Sequence, residues 1–260
     1  MRSLFALVLT VVTVVPAGWA QSLSPGEREK SRAQNRLGWE QMRSEGFEQA
    51  VKHFQEAVAI DPEFEMPFYG LGRAHMALKQ YVSAISALTR CRDLYRAQVG
   101  RQFSNQQDAQ RYRNNRITEI DEMIRQVQSG PQTLQAQDQL RQLQEQKRQV
   151  QDIIARGNNV TIEATVPAWV SLSLGSAYFR SGKIADAERE YKATIEVDNR
   201  SGEALNNLAV VYLETNRIGE AEAAVKNAKK AGFKVNPQLE QAIKDRKPPL
   251  AQVLKSPSRS

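Results

Sequence analysis

The sequence predicts an all-α fold, a solenoid of helix-turn-helix repeats with an antiparallel helical hairpin inserted in its middle. Three observations predict it. The dipeptide Leu37-Gly38 returns 34 residues later as Leu71-Gly72, and Leu174-Gly175 returns 34 residues later in the softened form Leu208-Ala209. Other positions keep the same register: Ala50 with Ala84, Ala187 with Ala221, Phe54 with Leu88, Tyr191 with Val225 and Ala57 with Cys91. Between the second and third units the period breaks, and two apolar stripes at heptad spacing take its place.

Taken in order, the chain opens with Arg2, an apolar run from Leu4 to Val15, then Pro16 and Gly18-Trp19-Ala20. That three-part form is a secretory signal over residues 1–20, cut after Ala20. The run is about a dozen residues, short of the roughly 20 that a membrane-spanning helix needs. A retained anchor is the competing reading. Gln21 follows the cut and the only Cys is distant, so there is no acylation site of a lipoprotein.

Residues 21–96 form units one and two. Ser24-Pro25-Gly26-Glu27 places an N-cap Ser, a first-turn Pro and a Glu three residues after the cap, the capping-box arrangement that starts a helix. The helix runs to about Arg43 and turns at Glu45-Gly46. It is answered by a second helix with Phe47, Ala50, Val51, Phe54, Ala57 and Val58 inward, closed by Asp61-Pro62. Unit two carries Phe68, Leu71 and Gly72, then Tyr81, Ala84, Leu88 and Cys91. In each unit the Leu is expected inside. The Gly or Ala beside it lets the second helix approach, and the repeated Ala sits where a bulky side chain would push the two helices apart.

Residues 97–165 are different, rich in Gln and in both signs of charge, with Ser129-Gly130-Pro131 as the clearest break. Ile117, Ile120, Ile124 and Val127 are spaced 3, 4, 3; Ala136, Leu140, Leu143, Lys147, Val150 and Ile154 are spaced 4, 3, 4, 3, 4. Two such stripes about a turn read as a hairpin projecting from the solenoid, each arm about 25 residues or roughly 37 Å long. Folding about the turn sets Ile124 near Ala136, Ile120 near Leu140 and Arg113 against Lys147, a like-charge pair that loosens the base. Two degenerate repeats are the other reading, though Gln and Arg stand where helix crossings need small residues. Val160 to Val166 alternates like extended chain, and Pro167 restarts the helix.

Residues 166–246 hold units three and four and a capping helix. Unit three carries Leu174, Gly175, Tyr178, Ala187 and Tyr191, with its turn at Ser181-Gly182-Lys183. Unit four carries Leu205, Leu208, Ala209, Tyr212, Ala221, Val225 and Ala228, ending at Gly232. Asn236-Pro237 opens a last helix to about Arg246 that covers the open end of the solenoid. Residues 247–260, rich in Pro, Ser and Lys, read as a disordered basic tail.

The order Leu-Gly, aromatic, Ala, aromatic, Ala-x-x-x-x-Pro runs through the first unit to Ala57 and Asp61-Pro62, and resembles the tetratricopeptide repeat (TPR) family in an exported bacterial form. The resemblance implies a scaffold that binds proteins, with a concave groove lined by the first helix of each unit. Carried onto this sequence, the groove would present Asn35, Trp39, Met42, Tyr69, Arg73, Met76, Trp169, Leu172, Phe179, Arg180, Asn206, Val210 and Leu213. Family members that clamp a terminal carboxylate use Lys, Arg and Asn. Asn35 and Asn206 occupy suitable places, but Trp39 stands where an Asn is expected.

Chemistry has little footing. Catalysis or metal binding needs converging ligands, and the chain has one Cys, two His, no HExxH and no GxSxG. Gly70-Leu71-Gly72 lacks the third Gly of a dinucleotide loop. No catalytic, cofactor-binding or metal residue is expected. Cys91 reads as a small buried hydrophobe, His75 as a packed core residue and His53 as surface. The net charge of +7 falls to +6 once Arg2 is removed, and its charges are interleaved until Lys229, so no nucleic-acid partner is expected. The expected function is therefore non-enzymatic binding of a protein or peptide in the periplasm or outside the cell. Two alternatives stand beside it: a structural, oligomerising protein acting through the hairpin, and an accessory subunit of an envelope enzyme.

Overall fold

A helix starts where its orphan N–H groups find acceptors, and Ser24 provides one. In the computed structural model, which describes residues 23–98, 103, 105–129, 134–157 and 165–246, the Ser24 hydroxyl accepts from the Glu27 N–H (3.2 Å). The Glu27 carboxylate accepts in return from the Ser24 N–H (2.8 Å). Helix α1 (Pro25–Arg43) begins there. It is followed by α2 (Phe47–Ile60), α3 (Glu65–Ala77), α4 (Tyr81–Gln98), α5 (Gln106–Ser129), α6 (Leu134–Ala155), α7 (Ala168–Arg180), α8 (Ile184–Val197), α9 (Gly202–Glu214), α10 (Ile218–Lys230) and α11 (Pro237–Arg246). No strand occurs among the described residues.

Helices pair as α1 with α2, α3 with α4, α7 with α8 and α9 with α10. Each hairpin closes through one residue in the left-handed region: Glu45, Lys79 and Asn216 at φ 59° and Gly182 at φ 79°. Those positions repeat the 34-residue period. Ala50, Ala84, Ala187 and Ala221 are fully buried at the crossings. The glycine after each leucine admits the large residue of its partner helix. A Cβ on Gly38 would lie 2.5 Å from the Phe54 ring, on Gly72 2.4 Å from Leu88, and on Gly175 2.8 Å from Tyr191. Gly72→Leu should therefore overpack unit two by about 1–3 kcal/mol or more. An unchanged midpoint in chemical denaturation would refute that register.

The insert does not interrupt the solenoid, because α7 packs on α4 as α3 packs on α2. The Arg92 guanidinium reaches the Glu190 carboxylate (2.5 Å) across this joint. At the far end Val235 and Ile243 are buried as α11 covers α10.

Four expectations need correction. Leu37 is 39% exposed, unlike Leu71, Leu174 and Leu208; among the described residues no helix precedes α1 to cover that face. The inserted hairpin does not project. Helices α5 and α6 pair antiparallel, but Ile120, Met123 and Leu143 are buried in the same cluster as Trp39, Tyr69, Tyr95 and Trp169. Lys147 meets Asp121 (2.7 Å), eight positions along α5 from Arg113, so its partner across the hairpin carries the opposite charge. His75 and His53 are both half-buried and bonded to Gln80 (2.7 Å) and Gln34 (2.8 Å), because each stands at the rim of its helix pair. Cys91 is fully buried. The leader at 1–20, the turn beyond Ser129, the extended stretch at 160–164 and the tail at 247–260 lie outside the described residues. Among the described residues, no helix is long and apolar enough to cross a membrane, and no cluster of His, Cys, Asp and Glu could hold a metal.

Candidate binding cavity

Residues three and four apart share a helix face. On α3 that brings Tyr69, Arg73 and Met76 to the concave side of the solenoid; on α7 it brings Trp169, Leu172, Ser173 and Ser176. The start of α9 adds Ser201, Gly202 and Glu203. Facing them across a cavity of about 840 Å³ are Arg113, Arg116 and Ile120 of α5 and Arg141, Gln149, Val150 and Ile153 of α6. The hairpin thus roofs the concave face, and the volume falls in the range of ligand sites.

An aromatic ladder runs from α1 into the floor, which Tyr69, Trp169 and Tyr95 line. Trp39 lies 5.9 Å from Tyr69, Tyr69 4.3 Å from Trp169 edge to face, and Trp169 6.0 Å from Tyr95. These four rings are buried. Arg73 donates to the Tyr69 hydroxyl (3.0 Å), and its own side chain is exposed to the cavity.

Beside the ladder the hairpin is seated by a polar cluster. Arg116 donates to the Tyr95 hydroxyl (2.6 Å) and to the Glu119 carboxylate (3.2 Å), and its guanidinium lies 4.9 Å from the Tyr95 ring centre. Glu65, buried, accepts from the Gln98 amide (3.1 Å). Burial, then the charge of Glu119, raises the Glu65 carboxyl to about 7 against the pull of Arg116. Burial also raises Glu119, again opposed by Arg116.

Of the thirteen residues expected in the groove, Tyr69, Arg73, Met76, Trp169 and Leu172 line the cavity. Asn35 and Trp39 are instead buried in α1, where Trp39 packs on Phe54 (5.3 Å), and Met42 lies half-buried beside them. Phe179 and Leu213 pack in the core of units three and four, Val210 and Asn206 are half-buried, and Arg180 is exposed at the end of α7. The sequence reading missed the roof. Arg113, Arg116 and Ile120 share one helix face, and that pairing of guanidinium with apolar surface is the signal that could have found it.

Six buried side-chain atoms among the described residues lack a hydrogen-bond partner: Asn35 Oδ1, Trp39 Nε1, Gln98 Oε1, Trp169 Nε1, Glu190 Oε2 and Asn206 Oδ1. Four of them belong to the expected groove residues, and unsatisfied buried polar groups call for a reason.

The signature of the tetratricopeptide repeat family matches residues 35–98 and 172–232. No curated protein matches the chain in sequence. Among solved structures, PilW, a widely conserved type IV pilus biogenesis factor, is similar at 15% identity over 83% of this chain and 85% of that chain, with a TM-score of 0.40. Pseudomonas aeruginosa pilF is similar at 15% identity over 85% and 87%, with a TM-score of 0.34. TTC0263, a thermophilic TPR protein of Thermus thermophilus, is similar at 18% identity over 83% and 98%, with a TM-score of 0.34.

Proposed function

The chain is a tetratricopeptide-repeat protein, and from that premise we propose that it is a non-enzymatic scaffold holding a segment of a protein or peptide partner between its concave face and its hairpin. The cavity carries this reading: aromatic rings and arginines, the side chains enriched at binding hot spots, meet there around an open volume. The unpartnered indole Nε1 of Trp169, in the cavity wall, supports it. The leader-like start, Arg2 with the run Leu4 to Val15, favours a setting in the cell envelope or outside the cell.

A photoreactive side chain placed at Met76, inside the cavity, and in a second protein at Val82, which is 80% exposed on α4, tests the proposal in the native envelope. One partner should crosslink from position 76 and not from position 82. Arg73→Glu in the same chain should cut that yield about tenfold, the equivalent of roughly 1.4 kcal/mol. Equal capture from both positions, or a yield indifferent to Arg73, would defeat the cavity as the binding site.

A further inference from the structure

We propose that the hairpin is a proton-sensitive roof: one buried cluster of carboxyl, guanidinium and phenol groups seats α5 on the solenoid, and loss of a proton from that cluster lifts the hairpin and opens the cavity. What the opening serves rests on the proposed function; the movement is a property of the unliganded chain.

The geometry is that of a lid. Helix α5 packs its backbone closely against α6, and side chains make its seat on the solenoid. The apolar part of that seat is Ile120, Met123 and Leu143. The polar part gathers ionisable groups from the helices around it: Arg32 of α1, Asp61 before α3, Glu65 of α3, Cys91 and Tyr95 of α4, and Tyr112, Arg116 and Glu119 of α5. Three carboxyls thus face two guanidiniums. Arg116 is committed to Tyr95 and Glu119, whereas Glu65 rests on the neutral Gln98 amide. A second buried negative charge there has no cation of its own, and desolvation makes it costly.

Lifting α5 would return Glu65 to water and to its ordinary value of 4.5, below its seated value of about 7. The closed form therefore holds a proton that the open form releases between those values. Closure is fully stabilised below about 4.5, weakens steadily up to about 7 and loses no more beyond it. Glu119, also raised, acts in the same direction.

The test uses the full chain without ligand, so its failure is distinct from failure of the crosslinking result. Spin labels go on cysteines introduced at Gln144 of α6 and Glu214 of α9, both exposed; native Cys91 is buried and does not compete. Pulsed electron paramagnetic resonance at about pH 5.5 and about pH 8.5, on either side of neutrality, should show the main distance lengthening by about 5 Å, the pitch of one helix turn. Glu65→Gln, checked for folding by circular dichroism, should abolish the lengthening, because it removes the carboxyl whose proton is lost; Glu119→Gln should shrink it, because burial alone then raises Glu65. Identical distances at the two pH values in the parent chain, or a lengthening that survives in Glu65→Gln, overturns the proposal.

Discussion

Truncating Phe54 to alanine should cost about 3–5 kcal/mol of folding stability, read as a lower midpoint in urea at unchanged slope. Phe54 is fully buried, and its ring occupies space that two glycines leave open. A Cβ on Gly38, in the same unit, would lie 2.5 Å from the ring, and one on Gly70, in the next unit, 2.4 Å from it. The ring also meets Trp39 edge to face. It therefore locks units one and two to each other as well as α2 to α1, and its removal leaves a cavity bounded by backbone that cannot collapse. Gly70→Ala should be destabilising in the parent chain and nearly tolerated when combined with Phe54→Ala. That difference is a coupling of about 0.5–3 kcal/mol in a double-mutant cycle. Additive effects would mean that the ring does not fill the glycine notch.

Arg92→Leu should cost a similar amount, about 3–5 kcal/mol, because it strands the partner carboxylate. Arg92 and Glu190 are only 14% and 6% exposed, and one Glu190 oxygen already lacks a partner. The second contact of Arg92, with Asp93 (3.3 Å) at the surface, contributes little. Since the pair bridges α4 and α8, the damage falls on the joint between the repeats before and after the insert. Calorimetry should resolve two transitions in the variant where the parent chain shows one. Replacing both residues by leucine should restore most of the loss, since no uncompensated charge remains. A single transition at an unchanged midpoint in Arg92→Leu would show that the joint holds without the pair.

Register was legible wherever a small residue must sit opposite a large one. Gly72 opposite Leu88 and Ala50 at a crossing are steric requirements, and sterics repeat with the fold. The destination of the hairpin was not legible. Heptad spacing marks a face to be buried without naming what buries it. Met123 falls outside the stripe of Ile117, Ile120 and Ile124, yet it is buried. A helix pair that also lies on a third surface buries a wider arc than a two-helix seam. The same blindness explains the candidate site. Taking the outer face of each first helix finds Tyr69, Arg73 and Trp169 in the middle of the array. At the first unit it finds Trp39, which neighbouring rings absorb. The roof arginines come from the one segment where the repeat rule is silent.

The seating of α7 directly on α4 has a consequence for chain entropy. Residues 99–167, 69 in all, separate those two helices, whereas the four of 61–64 separate α2 from α3. Closing the longer connection costs about 2.5 kcal/mol more. Helices α5 and α6 can pair on their own, tying Gln106 to Gly157 and Asp121 to Lys147. With that local pairing made, the remaining path shrinks to residues 99–105 and 158–167, and the extra cost falls to about half. The insert thereby shortens the search by which the two halves of the solenoid find each other, whatever its roof later does.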